Sequence, residues 1–258
     1  MKFKLKQTLA AAALALPLAL AGQAAQATPV GLELLLLIDV SGSVDATEYN
    51  LQKSGYVQAF QSAAVQNAII NSVGGSIAVA YVEWSGNAEQ SYAVNWTKIS
   101  NATEANAFAA AINGSSRAFS GQTAIQAAMK FGGGQFASNG FEAARWVIDV
   151  SGDGADNNTT SCNVVTNVRC GRDSALAAGV ATINGLPILG EAGLLAYYQT
   201  NVQGGTNGFT TPAASFGDFS AAIQSKLIRE VNQTPEPASL ALIGLALAGL
   251  GFSRRKQA

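Results

Sequence analysis

Three short runs in this 258-residue chain place oxygen-bearing side chains beside glycines: Asp39-Val40-Ser41-Gly42-Ser43, Ser120-Gly121-Gln122-Thr123 and Ser151-Gly152-Asp153-Gly154. In an extended segment alternate side chains share a face, so Asp39, Ser41 and Ser43 can aim at one point. Two carboxylates (Asp39, Asp153) and three hydroxyls (Ser41, Ser43, Thr123) make a set of hard oxygen donors. Such a set suits Mg2+, Mn2+ or Ca2+ and disfavours zinc and copper. With so few carboxylates, a bound cation stays electron-poor and seeks one more anionic ligand, which a partner can supply. Plainer roles exist for each run. Asp39, Ser41 and Ser43 are also good turn formers, and Asp153 with Asp156, Asn157 and Asn158 can make an ordinary polar loop. Thr123 can cap a helix, with Gln126 completing a capping box. Asp149–Gly154 imitates the start of an EF-hand, but its twelfth position is Thr160, where a bidentate Glu is required.

Composition narrows the chemistry further. Histidine is absent, which removes His-based triads, His general bases and His-containing zinc sites. Two cysteines cannot form a four-cysteine zinc site. Charged residues are only 12% of the chain against 48% apolar ones, so a sizeable core is possible beneath a weakly charged surface. Lys2, Lys4 and Lys6 at one end and Arg254, Arg255 and Lys256 at the other hide an acidic middle of nine basic and fifteen acidic residues. No basic cluster remains there, so nucleic acid and anionic lipid are not expected partners.

The elements that must position these runs follow from hydrophobic patterning. Leu32–Val40 is a near-continuous apolar run interrupted by Glu33, which predicts a strand covered on both faces. Asp45-Ala46-Thr47-Glu48 predicts a capped helix start, with the helix running to about Ala68. Ser76–Trp84 and Gln90–Trp96, around Gly86-Asn87, predict a hairpin whose second strand is an antiparallel edge. Helices are expected over Glu104–Ile112 and Thr123–Phe131, and a buried strand over Arg145–Val150. A helix end is expected near Leu176–Ala178, and a strand within Val180–Leu189 with a turn at Asn184-Gly185. Leu194–Thr200, a short strand near Gly208–Thr211 and a last helix Phe216–Val231 complete the domain. Alternating strands and helices imply an α/β fold: a doubly wound, mostly parallel central sheet with one antiparallel edge strand and helices on both faces. One domain is expected over residues 28–232.

Both ends resemble addresses. Residues 1–27 have the lysine flank, apolar run and Ala25-Gln26-Ala27 ending of a secretory signal peptide, so signal peptidase is expected to leave Thr28 first. At the other end stand Thr234-Pro235-Glu236-Pro237, the apolar run Ala238–Phe252 and a basic finish. As a helix that run reaches about 22 Å against a bilayer core of about 30 Å, which suits a transient membrane anchor. The order of parts over 233–258 resembles the PEP-CTERM sorting signal of Gram-negative bacteria. The resemblance implies export across the inner membrane, removal of the tail by an exosortase and delivery to the cell surface or extracellular matrix. A simple tail anchor is the alternative. In an exported protein Cys162 and Cys170 are expected to form a structural disulfide, worth roughly 2–3 kcal/mol by loop entropy.

The D-x-S-x-S run, Gly121-Gln122-Thr123-Ala124-Ile125 and Asp153-Gly154 resemble the metal-ion-dependent adhesion site of von Willebrand factor A (vWA) domains, over about residues 30–231. The resemblance implies that Ser41, Ser43 and Thr123 touch a divalent cation and that Asp39 and Asp153 hold it directly or through water. The chain departs from the family at one point, with Gly152-Asp153-Gly154 where Thr-Asp-Gly is commoner. The stretch Ala178–Ile188, with Thr182–Pro187 inside it, resembles an uncharacterised bacterial branch of this family, which implies no known substrate. The function implied is an exported, metal-dependent adhesion module for an acidic group on a protein or extracellular polysaccharide, and not an enzyme. The alternatives are a matrix protein whose ion only stabilises loops, and a metal-assisted hydrolase using Asp39 or Asp153. Mass spectrometry of the exported protein is expected to find Thr28 first and no Arg254–Ala258 end; an intact basic end would favour the tail anchor.

Overall fold

A computed structural model describes residues 26–233 apart from 161, 164 and 165. Most of the expected signal peptide, and the Pro-Glu-Pro segment with the apolar run behind it, therefore lie outside the described residues. Among the described residues no helix is long and apolar enough to cross a membrane.

A two-residue strand β1 (Thr28–Pro29) pairs in parallel with β5 (Phe141–Glu142), apart from the main sheet. The main sheet has six strands in the order β4 (Gln90–Ile99), β3 (Ile77–Trp84), β2 (Leu32–Asp39), β6 (Trp146–Gly152), β7 (Thr182–Pro187) and β8 (Gly204–Gly205). The four strands from β3 to β7 are mutually parallel, while β4 and the two-residue β8 pair antiparallel at the edges. β2 is the pivot. The chain builds outward from it to β3 on one side and later to β6 on the other, so the order reverses at its carboxyl end. In open α/β sheets such a reversal opens the crevice where ligands gather.

β2 alternates between two cores, because successive side chains of a strand point to opposite faces. Leu34, Leu36 and Ile38 pack with α1 (Ala46–Gln61), α2 (Ala63–Ile70), α3 (Ala102–Gly114) and α7 (Phe219–Asn232) through residues such as Tyr56, Phe60, Phe108 and Phe219. Leu35 and Leu37 pack on the other face with α4 (Ile125–Gly133), α5 (Cys170–Ala177) and α6 (Leu194–Tyr197), which continues as a π-helical turn through Val202. The doubly wound architecture expected from the sequence is the one observed. Glu33, the polar interruption in β2, is satisfied in place: its carboxylate accepts hydrogen bonds from Asn139 Nδ2 (2.5 Å) and Trp146 Nε1 (3.1 Å).

Several local expectations change. The capping box of α1 forms, with Asp45 accepting from Thr47 and Glu48 N–H groups and Glu48 accepting from Asp45 N–H. The helix does not run unbroken to Ala68. Ser62 adopts extended backbone (φ −71°, ψ 136°), and its hydroxyl caps the separate helix α2. Asn184-Gly185 is not a turn but the middle of β7. Asn184 is held by Glu230 Oε1 (2.8 Å) and Phe209 N–H (3.0 Å), and a Cβ at Gly185 would come within 2.7 Å of the Tyr198 ring. Tertiary partners thus override a local turn signal. The strand expected near Gly208–Thr211 is reduced to isolated bridges, Gly185 to Thr210 and Ile188 to Ala213. Cys162 and Cys170 form the expected disulfide just before α5.

The helical layer on the α7 side encloses a charged cluster. Lys226 Nζ lies 2.5 Å from Asp149 Oδ1 and 2.6 Å from Glu230 Oε1, with all three side chains shut off from solvent. Burial, and then the neighbouring Asp149, push the Glu230 carboxyl up to about 7. Removing one partner of a buried ion pair leaves an uncompensated charge, at a cost of about 3–5 kcal/mol. Lys226→Met is therefore expected to lower stability by about that amount in urea denaturation, and a loss below 1 kcal/mol would show the cluster to be energetically neutral.

Candidate metal centre

Asp39 is the last residue of β2, and Ser41 and Ser43 follow in a bend that feeds α1. Asp153 follows β6, and Thr123 precedes α4. The fold brings all five oxygen-bearing side chains together. Thr123 Oγ1 donates to Ser41 Oγ (3.2 Å), Ser41 Oγ and Ser43 Oγ lie 3.1 Å apart, and Ser43 Oγ donates to Asp153 Oδ1 (2.7 Å). Asp39 Oδ1 accepts the Ser41 N–H at 2.7 Å, which turns the chain out of the strand and fixes the carboxylate. Expected as alternate residues of one extended run, the three side chains of 39–43 instead converge through this Asx-type bend.

The site is graded in depth. Asp39, Ser41 and Thr123 form a buried floor; Asp153 is half-buried and Ser43 exposed at the rim. Asp39 Oδ2 is buried and accepts no hydrogen bond. None of the ion pairs among the described residues involves Asp39 or Asp153. Burial pushes the Asp39 carboxyl up to about 7, and burial likewise raises Asp153, with Glu48 and Glu191 adding to the rise. A buried carboxylate without a partner is costly, and a cation relieves it. The donor set fits a hard divalent ion: all five contributing atoms are oxygens, and one carboxylate oxygen is left free. Among the described residues no group of three or more His, Cys, Asp and Glu is placed to hold a metal, so an ion held here would need the hydroxyls as well.

Three neighbours that sequence reasoning did not single out complete the frame. Arg117 Nη2 donates to the carbonyls of Val40 (2.9 Å) and Ser41 (2.8 Å), clamping the Asp39–Ser43 bend from the α3–α4 loop. Gln52 Nε2 donates to the Asp39 carbonyl at 2.9 Å. Tyr198 is fully buried, with its hydroxyl beside the site and without a hydrogen-bond partner. A Cβ at Gly152 would lie 2.7 Å from Asp39 Oδ2 and 2.8 Å from the Tyr198 hydroxyl. A side chain at residue 152 would therefore press on both Asp39 and Tyr198, which suits the glycine found where Thr-Asp-Gly is commoner.

Thr123 is not the helix cap. Ala124 takes the cap position with no side-chain bond, and Asp156 Oδ2 accepts the Gln126 N–H at 2.8 Å from a distant loop. The Gln126 side chain serves α5 instead, accepting from Gly171 N–H at 3.0 Å. Thr123 is held from its backbone by Asn157, with Thr123 N–H donating to Asn157 Oδ1 (3.0 Å) and Asn157 N–H to the Thr123 carbonyl (2.8 Å). Its hydroxyl is thereby left for the site. Asp156 and Asn157 thus build a loop and support the site at once.

Comparison with known proteins supports the fold. The chain resembles proximal thread matrix protein 1 from the mussel byssus, solved with a zinc-occupied MIDAS motif, at 16% identity and TM-score 0.53 over 80% of this chain and 47% of that one. It resembles the pilus adhesin SpaC of Lactobacillus rhamnosus GG at 14% identity and TM-score 0.56, over 80% of this chain and 32% of that one. A von Willebrand factor type A protein from Catenulispora acidiphila matches at 12% identity and TM-score 0.51, over 78% and 43% of the two chains. The chain therefore spans less than half the length of each. No curated protein matches the sequence. Residues 233–256 match the PEP-CTERM protein-sorting motif, a mark of export and surface sorting. Residues 29–235 match the family described as "Protein of unknown function (DUF1194)", and with this sheet order and these structural neighbours the chain belongs to that vWA-like family.

Proposed function

We propose that the protein is an exported, divalent-cation-dependent binding module, in which Asp39, Ser41, Ser43, Thr123 and Asp153 hold one Mg2+ (Mn2+ and Ca2+ being the other candidates). The bound ion supplies an electron-poor position that a carboxylate on a partner protein or acidic polysaccharide completes. The observation that carries this reading is the buried, partnerless Asp39 Oδ2 beside a chain of hydroxyls from its own loop (Ser41, Ser43) and from the loop before α4 (Thr123), which ends on Asp153. The mussel matrix protein, solved with zinc in its MIDAS motif, supports the reading that a related fold holds a divalent ion; the all-oxygen donors of this chain suit magnesium better. Asp39 supplies charge from the floor. The hydroxyls set the depth of the ion, and the open rim at Ser43 and Asp153 admits a partner. That opening supports recognition over an ion that only stabilises loops. After tail processing by an exosortase and a transient stay in the membrane, the domain would act at the cell surface or in the extracellular matrix.

Linkage gives this reading a pH signature. With its carboxyl near 7 in the folded state and 3.8 as the reference value, Asp39 binds more protons folded than unfolded between those limits. Stability of the metal-free protein therefore falls as pH rises from about 4 to about 7, by about 4 kcal/mol from this group. Glu230 adds a fall of the same sign. Asp39→Asn is expected to flatten part of that fall in thermal melts at pH 5 and pH 8. Mg2+ is expected to raise the melting temperature of the parent more at pH 8 than at pH 5, and that of Asp39→Asn hardly at all. A magnesium effect equal in both proteins would remove Asp39 from the site.

Pull-down from the producer's envelope and matrix tests the partner step directly. Chelator and Asp39→Ala are each expected to abolish capture while the circular dichroism spectrum is kept. Capture unchanged in excess chelator would overturn the proposal. Turnover of phosphate esters dependent on Asp39 would instead support the hydrolase.

A further inference from the structure

Beside the candidate centre lies a groove of about 430 Å³ that shares Asp153 with it. Its walls come from the first turns of α1 (Glu48, Leu51), the exit of β7 (Ile188, Leu189) and the turn before α7 (Ser215–Gly217). Ile188 is part of the core beneath, and Phe216 packs against that core. Leu51 and Leu189, at 42% and 37% exposure, are two of the few large apolar side chains the domain leaves open to solvent. They flank one groove instead of being scattered. Such a patch against a polar site marks a place for a ligand.

The charge around it is one-sided. Glu48 and Asp153 line the groove, and Glu191 accepts the Ala155 N–H at 2.8 Å, two residues beyond Asp153. Ser215, in the opposite wall, donates to Asp218 at 2.7 Å. Among the described residues no Lys or Arg lines the groove. A polyuronate would bring a carboxylate on every sugar into this acidic surround, and a single cation could meet only one of them. A polypeptide segment can bring one carboxylate and an apolar neighbour.

We infer that the groove takes a large aliphatic or aromatic side chain adjacent to the one metal-bound carboxylate, so that the partner is a protein segment and not an acidic polysaccharide. The inference rests on the cation-binding reading above. It assigns Leu51, Leu189 and Phe216 to specificity and Asp39 to the ion.

The test uses the exported full-length chain with three probes: a blocked pentapeptide carrying leucine on either side of one glutamate, its glycine-for-leucine counterpart, and a galacturonate oligomer. Mn2+ binding is first measured alone by electron paramagnetic resonance, and the probes are then titrated by calorimetry in saturating Mg2+. The leucine peptide is expected to bind about tenfold more tightly than the glycine peptide, as burial of about one leucine side chain in the groove suggests. The double variant Leu51→Ser, Leu189→Ser is expected to bring it down to the glycine peptide's level, and both peptides should release in chelator. Equal affinities for the two peptides, tighter binding of the galacturonate, a preference that survives the double substitution, or no binding of any probe by the Mn2+-competent protein would each overturn the inference and leave the ion site standing. Failure to bind Mn2+ at all would overturn both.

Discussion

Two buried carboxylates on neighbouring strands of the same sheet are treated differently, and much of the molecule follows from that difference. Asp149, on β6, points into the α7 side and receives Lys226 at 2.5 Å. Asp39, at the end of β2, is as deeply buried, and its Oδ2 has neither a cation nor a hydrogen bond from the chain. Since the low dielectric of an interior raises the cost of an isolated charge steeply, holding Asp39 ionised is costly for the fold, and a cation from outside would relieve that cost. The raised carboxyl is the chain's own response when nothing does. The topology decides where this happens. β2 is the strand from which the sheet grows in both directions, so its carboxyl end is the one place where the loops after β2 and β6 and the loop before α4 can close on one another.

Such a site is only as good as the frame around it, because its members are far apart in the chain: 110 positions separate Ser43 from Asp153 and 82 separate Ser41 from Thr123. Backbone clamps supply the frame. Arg117 holds the two carbonyls after Asp39, Gly42 N–H donates to the Gly121 carbonyl at 2.7 Å, and Asn157 grips Thr123 on both sides. Each clamp acts on backbone and takes none of the site's side-chain oxygens. Preorganisation of this kind lowers the reorganisation needed when a charge arrives.

The alternation of strands and helices was legible from apolar runs, because a strand covered on both faces has little room for polar residues. The five oxygen-bearing residues were legible because short hydroxyl and carboxylate runs beside glycine are rare at strand ends. What stayed hidden depends on contacts between distant segments. Ser62 breaks a helix that composition would continue. Asn184-Gly185 has the local chemistry of a turn, yet Glu230, Phe209 and Tyr198 draw it into a central strand. Thr123 looks like a cap until Asp156 takes that task from 30 residues away. Tyr198 carries no local signal at all, yet with Asp39 it crowds the space beside Gly152.

The acidic surround bears on how the proposed recognition would be controlled. Glu48 and Glu191 raise the Asp153 carboxyl, so the rim already disfavours negative charge before any partner arrives. Without an ion, an approaching carboxylate would meet like charges at the rim and, above about pH 7, an ionised Asp39 on the floor, an arrangement that repels. With a divalent ion in place the floor is neutralised, and the same low dielectric then strengthens the contact between ion and ligand. Without the ion this geometry works against a carboxylate, so binding would be conditional on the cation, not merely strengthened by it. The acids that seem ill suited to an anion-binding face are, on this argument, what makes the cation an obligatory part of it.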